Sequence, residues 1–383
     1  MTGRRGSLRV GLVCPYSFDV AGGVQTHVIG LARYLRSAGH QPCVLGPGEL
    51  GPPVSAVDDA EFASVGATMP VRYNGSVARV SFGPLSAARV RRWLRKGKFD
   101  LLHIHEPITP SISLLALWAA EQPVVATFHI ATPRSRSLQL ASGVLGAAIE
   151  KIDAGIAVSE AARNVVIQHL GRDAVVIPNA IDFDAFARPR ATSSGKQSDH
   201  PRLVFLGRLD EPRKGLDVLL AAVPLIKKVH PDLEVIVAGQ GNRQLPHWCC
   251  SLGTINDETK IALLSSADVF VAPHLARESF GIVVLEAMAS RVPIVASELP
   301  AFVDLLGAPH DEGRLGELFT TGDREALAGA VLNVLDRPDP LRAARAQQAA
   351  RRYDWSRVGT TVLAVYRAAL SAAPNRSTAI GVW

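Results

Sequence analysis

Apolar residues along the chain fall into short β-rich runs separated by stretches of helical spacing. LRVGLVC (Leu8–Cys14), QPCVLG, LLHIH, PVVATFH, AGIAVS and AVVIP read as strands in the first half. Between them, HVIGLARYLRSAG and EAARNVVIQHL keep apolar positions on one helical face, the former stopping at Gly39. Strand–helix alternation of this kind predicts βαβ units and parallel sheets. The pattern lapses at ARPRATSSGKQSDHP, Ala187–Pro201, which is rich in Ser, Pro and charge, then restarts with RLVFLG, LEVIVAG, ADVFVAP and VPIVAS. The fold expected is α/β, with two doubly wound Rossmann-like domains at residues 1–186 and 202–354 and a linker at 187–201. The helix around 355–371 is expected to pack back on the first domain, leaving 372–383 as a frayed tail. Domains of this type bind ligands at the carboxyl ends of their strands, so an interdomain crevice is the expected site.

Composition narrows the class. At 383 residues the chain exceeds one ordinary core, and 48 % hydrophobic with 20 % charged residues is globular. Cys14, Cys43, Cys249 and Cys250 have no zinc-ligand spacing and read as reduced thiols of a cytosolic protein. MTGRRGSLRV enters the first strand without the apolar segment of a signal peptide. The run ISLLALWAA is about half a membrane span. The expectation is a cytoplasmic protein that does not cross a bilayer.

Chemistry concentrates at strand ends. YSFDVAGGVQTH, Tyr16–His27, is a glycine turn opening a helix, a phosphate-binding arrangement that lacks the dinucleotide fingerprint. GRLDEPRKG, Gly207–Gly215, follows a strand and presents Arg208 and Lys214, two cations suited to a diphosphate. A solvated basic loop is the alternative. In RESFGIVVLEAMAS, Arg277–Ser290, Glu278 precedes the helix start at Gly281 and Glu286 lies two turns inside it. A phosphate suits the helix start, whereas both carboxylates call for neutral donors such as sugar hydroxyls.

GRLDEPRKG together with ESFGIVVLEAMAS resembles the retaining GT-B glycosyltransferases that use nucleotide sugars. The likeness extends from GGVQTH to RYDWSRV. With VCPYSFDVAGGVQTHV, RYNGSVARV, FDLLHIHEP and ARESFGIVVLEAMAS, it is closest to the actinobacterial phosphatidylinositol mannosyltransferases. The resemblance implies mannosyl transfer from GDP-mannose to the inositol ring of phosphatidylinositol, with anomeric retention. It implies donor contacts by Gly23, Arg208, Lys214, Asp257, Lys260, Glu278, Ser279, Phe280, Gly281, Ile282 and Glu286. Of these, Arg208 and Lys214 meet the diphosphate, Glu278 the transferred sugar and Glu286 the ribose. His129, ending the strand PVVATFH, is implied to contact the sugar beside Glu278 as the catalytic pair; a lone histidine is otherwise more often structural. With the diphosphate assigned to the second domain, the first-domain turn is left to the acceptor. Gly22 lies in that turn, and Tyr16, Asp19 and Gln25 are placed for ring hydroxyls, with Tyr73, Asn74 and Arg79. A front-face mechanism needs no protein nucleophile. No metal pair stands at a strand end, so no cofactor is required, although Mg²⁺ would be compatible.

SAARVRRWLRKGKFD, Ser86–Asp100, carries Arg89, Arg91, Arg92, Arg95, Lys96 and Lys98 around an apolar stripe of Ala87, Val90 and Leu94 bordered by Trp93. A basic amphipathic helix with an interfacial Trp suits an anionic membrane surface. The membrane contacts expected are Arg89, Arg91, Arg92, Trp93, Arg95 and Lys96, and the implied address is peripheral, on the inner face of the cell membrane. An ordinary surface helix packing its stripe on the sheet is the alternative; no nucleic-acid motif accompanies the patch. Two departures from the family pattern stand out: the short segment after Gly241, and Arg291 where a glycine helix cap is usual.

Overall fold

The computed structural model describes residues 6–20, 22–49, 62–73, 76–129, 142–188, 200–307 and 313–372, with the side chains of 72–77 and 142–145 outside that description. The chain divides into two compact units, one running to Ala180 and resuming at Trp355, the other Ile181–Asp354. The second unit begins ahead of the expected linker because Phe183 and Phe186 are buried in its core.

In the first unit, seven strands form a parallel sheet: β1 (Arg9–Val13), β2 (Gln41–Gly46), β3 (Phe62–Ser64), then β6 (Leu101–His105), β7 (Val124–Phe128), β8 (Ile152–Ala157) and β9 (Val175–Val176). Between them β4 (Met69–Tyr73) and β5 (Ser76–Val80) make a separate antiparallel hairpin. The order β3-β2-β1-β6-β7-β8-β9 reverses direction between β1 and β6, and ligand sites of doubly wound sheets open at the carboxyl ends there. β6 and β7 are buried at every position, as parallel strands covered on both faces should be. Yet His103, His105 and Thr127 interrupt their apolar run. The helix Trp355–Ala372 buries Val358, Val362, Tyr366 and Ala369, spaced for one helical face, against Val28 and Leu31 of the helix Gly23–Ser37 and the apolar residues of β1.

The second unit has β10 (Arg202–Leu206), β11 (Glu234–Ala238), β12 (Cys249–Ser251), β13 (Val269–Ala272), β14 (Ile294–Ser297) and β15 (Glu317–Phe319), all parallel. Its order, β12-β11-β10-β13-β14-β15, reverses between β10 and β13. Side chains of Asn256, Asp323 and Asp339 cap its helices by accepting backbone N–H bonds three residues on. The short segment after Gly241 reaches β12 without a helix. Asp210 accepts the N–H of Asn242 (3.0 Å), Arg243 pairs with Asp217, and Leu245 and Trp248 pack on the core. No helix among the described residues is long and apolar enough to cross a membrane.

Candidate active site

In the second unit, the loops that follow β10, β11 and β13 are pressed together. A Cβ on Gly215 (φ +72°) would fall 1.7 Å from the Pro273 carbonyl oxygen, and one on Gly239 1.9 Å from that of Gly207. Only glycine permits either approach, and the first sets Lys214 beside Glu278. Glu278 accepts from Lys214 Nζ (3.0 Å), His274 Nδ1 (3.0 Å) and the Gly281 backbone N–H (3.2 Å). Burial alone would raise its pKa, but the Lys214 charge and the His274 bond outweigh it and hold the carboxyl well below the usual range. Glu278 is therefore a fixed anion, with 15 % of its side chain still exposed. His274 is enclosed, and burial, helped by the Lys214 charge, lowers its pKa to about 4, so it stays neutral.

Gly281 (φ +94°) opens the helix Ile282–Ala289 without a side-chain cap, leaving the helix start to backbone donors. Phe280 is buried and edge-on to Tyr353 (5.7 Å), while Ser279 and Ile282 are half-buried. Two turns in, Glu286 bonds Lys260 Nζ at 2.6 Å, and Lys260 also pairs with Asp257 at 3.2 Å. Burial pushes Glu286 up, only partly offset by Lys260. Burial alone would lower Lys260, but the carboxylates of Glu286 and Asp257 keep it raised and charged. Arg208 lies 4.0 Å from Glu211. Sequence reasoning missed His274 and Arg213, the latter pairing with Glu211 and standing 3.9 Å from Glu278. The cationic run PRK was the available signal for Arg213.

In the first unit, Gly22 caps the helix Gly23–Ser37 in extended conformation with no side-chain bond to the first N–H groups, which a helix leaves without intrahelical partners. Two predicted acceptor contacts are engaged in bonds within the protein. Gln25 is buried, donating to the carbonyls of Ser17 (2.9 Å) and Val20 (3.0 Å). Asp19 accepts from Ser17 Oγ (2.8 Å) and the Glu49 N–H (2.9 Å). Tyr16 is half-buried and bridges to Val80, and Arg79 is exposed. Asn74 and the Tyr73 side chain lie outside the described residues.

His129, one residue past β7, is joined by two imidazoles that sequence reasoning did not single out. His105 Nδ1 lies 3.0 Å from His129 Nε2, and the His27 ring centroid is 5.1 Å from that of His129, with Trp355 beyond it. Burial first, then the neighbouring histidines, push His105 and His129 well below the usual range, and burial takes His27 to about 4. All three are neutral at pH 7. Glu106, in a left-handed conformation (φ +51°) and buried, accepts the His129 backbone N–H at 2.5 Å. His103 is bonded at both nitrogens, to Tyr366 Oη (2.7 Å) and Thr127 Oγ1 (2.6 Å). The run HIHE, three polar or charged letters of four at a buried strand end, was the sequence signal. His27, His105 and His129 each bring a nitrogen within 4.8 Å of the others, a donor set that suits zinc. However, His105 and His129 spend facing nitrogens on each other, their centroids 5.3 Å apart and planes 26° from parallel, so their rings meet edge to edge.

The basic helix, Pro84–Gly97, corrects one expectation. Its apolar stripe faces inward, with Val90 and Leu94 buried, and the half-buried Trp93 packs on Phe99 (4.3 Å) and over Gly11. Arg89 is partly committed, donating to the Val65 carbonyl at 2.5 Å. Arg91, Arg92, Arg95 and Lys96 are exposed as expected. The exposed apolar residues nearby are others: Leu85 (65 %), Phe82 (39 %) and Trp118 (40 %), the last two with rings 6.3 Å apart.

Two doubly wound units, one with a Lys–Glu–His cluster at its strand ends and the other with an uncapped glycine turn, define a GT-B glycosyltransferase. Residues 21–185 match the family model Glycosyltransferase Family 4, and 200–337 match Glycosyl transferases group 1. The fold aligns with the structure of Anabaena HepE in complex with UDP and glucose (TM-score 0.72, 19 % identity, 94 % of this chain and 99 % of that one). A phosphatidyl-myo-inositol mannosyltransferase of Propionibacterium freudenreichii is 45 % identical over 94 % of this chain and 95 % of its own. One of Mycolicibacterium smegmatis is also 45 % identical, over 94 % and 93 %. This chain belongs to the phosphatidyl-myo-inositol mannosyltransferase family.

Proposed function

We propose that this protein transfers a mannosyl residue, with retention, from GDP-mannose to the inositol ring of phosphatidylinositol at the cytoplasmic face of the membrane. The observation that carries the reading is the ionised, triply bonded Glu278 beside Lys214, in a chain so similar to proteins of that name. A fixed anion attracts sugar hydroxyls and repels phosphate, so Glu278 orients the mannosyl ring. Lys214 has three N–H donors and Glu278 takes one, which leaves two for the diphosphate with Arg208. As the glycosidic bond breaks, charge grows on the leaving phosphate. Each charge-assisted bond to it contributes about 1.5–3 kcal/mol, more where it tightens in the transition state. The leaving phosphate then takes the acceptor proton, and neutral His129 contacts the sugar without acting as base. Glu286, Lys260 and Asp257 hold the nucleoside ribose. Gly22 and Gly23 receive the inositol phosphate on their backbone donors, and Tyr16 and Arg79 meet the ring. No cofactor takes part.

The exposed cations of the helix Pro84–Gly97, with Leu85, Phe82 and Trp118, are proposed to rest on an anionic bilayer. The test is incubation with radiolabelled GDP-mannose and phosphatidylinositol liposomes, with and without EDTA. Labelled lipid susceptible to α-mannosidase is expected in both cases. No labelled lipid rejects the reaction, and loss on chelation rejects the metal-free chemistry.

A further inference from the structure

We infer that His105 is a positioning residue that fixes His129 in one neutral tautomer, its proton on Nδ1, so that His129 meets its ligand as a hydrogen-bond donor. The catalytic consequence rests on the proposed mannosyl transfer; the tautomer is a property of the protein alone.

At 3.0 Å, one of the two facing nitrogens, His105 Nδ1 or His129 Nε2, carries the shared proton. The choice is decided on the far side of His105. Its Nε2 is enclosed, with no hydrogen-bond partner among the described residues. A proton there would leave a buried N–H without an acceptor, while a proton on Nδ1 leaves only a bare lone pair, the less costly deficit. His105 therefore donates, and His129 Nε2 accepts. His129, being neutral, then carries its own proton on Nδ1, a nitrogen that no described residue engages, on a ring that keeps 8 % exposure.

The surroundings prevent either ring from turning to exchange roles. His105 lies against the His103 ring, centroids 4.4 Å apart and planes 24° from parallel, and its carbonyl accepts from Ser113 Oγ at 2.7 Å. His103 is itself pinned by Tyr366 and Thr127. The His129 backbone is tied to Glu106, so its ring is fixed from both ends. A double role for His129, donor and base, is closed off: its one acceptor nitrogen is occupied by His105.

The test is heteronuclear NMR of histidine-labelled protein without substrate, with the His129 signals assigned by loss in His129→Gln. The expected wild-type spectrum shows neutral His129 protonated at Nδ1. His105→Asn, whose amide N–H lies where Nδ1 lay, retains that form, and His105→Leu lets the Nε2–H form appear. In turnover, His105→Leu is expected to lower kcat about 10- to 100-fold with KM for GDP-mannose little changed, and His105→Asn to recover most of it. A wild-type His129 that is protonated at Nε2, or charged at pH 7, overturns the inference even in an active enzyme. Should His105→Leu not fold, the wild-type and Asn spectra still decide. Absence of any mannosyl transfer rejects the proposed function and leaves the tautomer measurement to stand or fall separately.

Discussion

Lys214 Nζ lies 3.0 Å from Glu278 Oε2, each residue reaching the other from the end of a neighbouring strand. Removing the lysine therefore does two things. It deletes a phosphate ligand, and it strips a buried carboxylate of its closest cation, leaving neutral His274, the Gly281 N–H and Arg213 at 3.9 Å. Breaking a buried pair from one side costs about 3–5 kcal/mol, less here because Arg213 remains. Lys214→Met is expected to lose about 2–3 kcal/mol in urea unfolding, and adding Glu278→Gln to restore part of it. Strict additivity of the two substitutions in a double-mutant cycle would reject the coupling.

Acid should unfold the protein early. Burial lowers His27 and His274 to about 4 and His103 to about 3, from 6.5. The unfolded chain takes up protons near pH 6.5 while the folded one resists, so stability falls as pH drops through that window. At pH 5 each of these three groups removes about 2 kcal/mol, about 4 from the first unit and about 2 from the second. His105 and His129 act in the same direction, and Glu278, held low, adds its loss below about pH 4.5. Glu286, held high, opposes with one group. Because domain stabilities are typically about 5–15 kcal/mol, unfolding is expected between pH 6 and 4.5 by circular dichroism. An unchanged urea midpoint from pH 7 to pH 5 would contradict the burial of these rings.

What the sequence disclosed and what it hid follow physical lines. Buried parallel strands have nearly continuous apolar runs, so PVVATFH and ADVFVAP announce themselves, and glycine turns at their ends mark where ligands bind. The pairing of Lys214 with Glu278 is long-range and depends on the close approach of Gly215 to Pro273, which no periodicity reveals. The amphipathic pattern around Trp93 was read correctly as a pattern, but a helical wheel does not say whether its apolar face meets a sheet or a bilayer. Here Phe99 and Gly11 receive the indole. Gln25 and Asp19 were chosen for hydroxyl binding by residue type; Gln25 is taken by carbonyls of the turn before its helix, and Asp19 bonds the Glu49 N–H thirty residues on.

Arg291 has φ +58° just past the helix Ile282–Ala289, and is exposed. A left-handed conformation costs a bulky residue about 1–2 kcal/mol, while glycine loses about 0.5–1 kcal/mol through the entropy of its unfolded chain. Arg291→Gly is expected to gain about 0.5–1 kcal/mol without changing kcat. A neutral or destabilising result would mean that the guanidinium holds a contact worth as much as the strain.

Membrane contact separates two tryptophans that look alike in sequence. Trp93 is half-buried and packed on Phe99, so Trp93→Ala should cost about 2–3 kcal/mol of stability and leave vesicle affinity of the folded fraction unchanged. Trp118 and Leu85 are largely exposed, so Trp118→Ser with Leu85→Ser should cost about 1–2 kcal/mol of stability and weaken binding of the folded protein to anionic vesicles. Neutralising Arg91, Arg92, Arg95 and Lys96 should remove about 1 kcal/mol per charge, and that part alone should fade with added salt. Co-sedimentation with phosphatidylinositol-containing vesicles at low and high ionic strength reads both terms. If Trp118→Ser with Leu85→Ser binds as tightly as the unmodified protein in high salt, the apolar residues lie off the contact face, and the cations alone hold the protein to the bilayer.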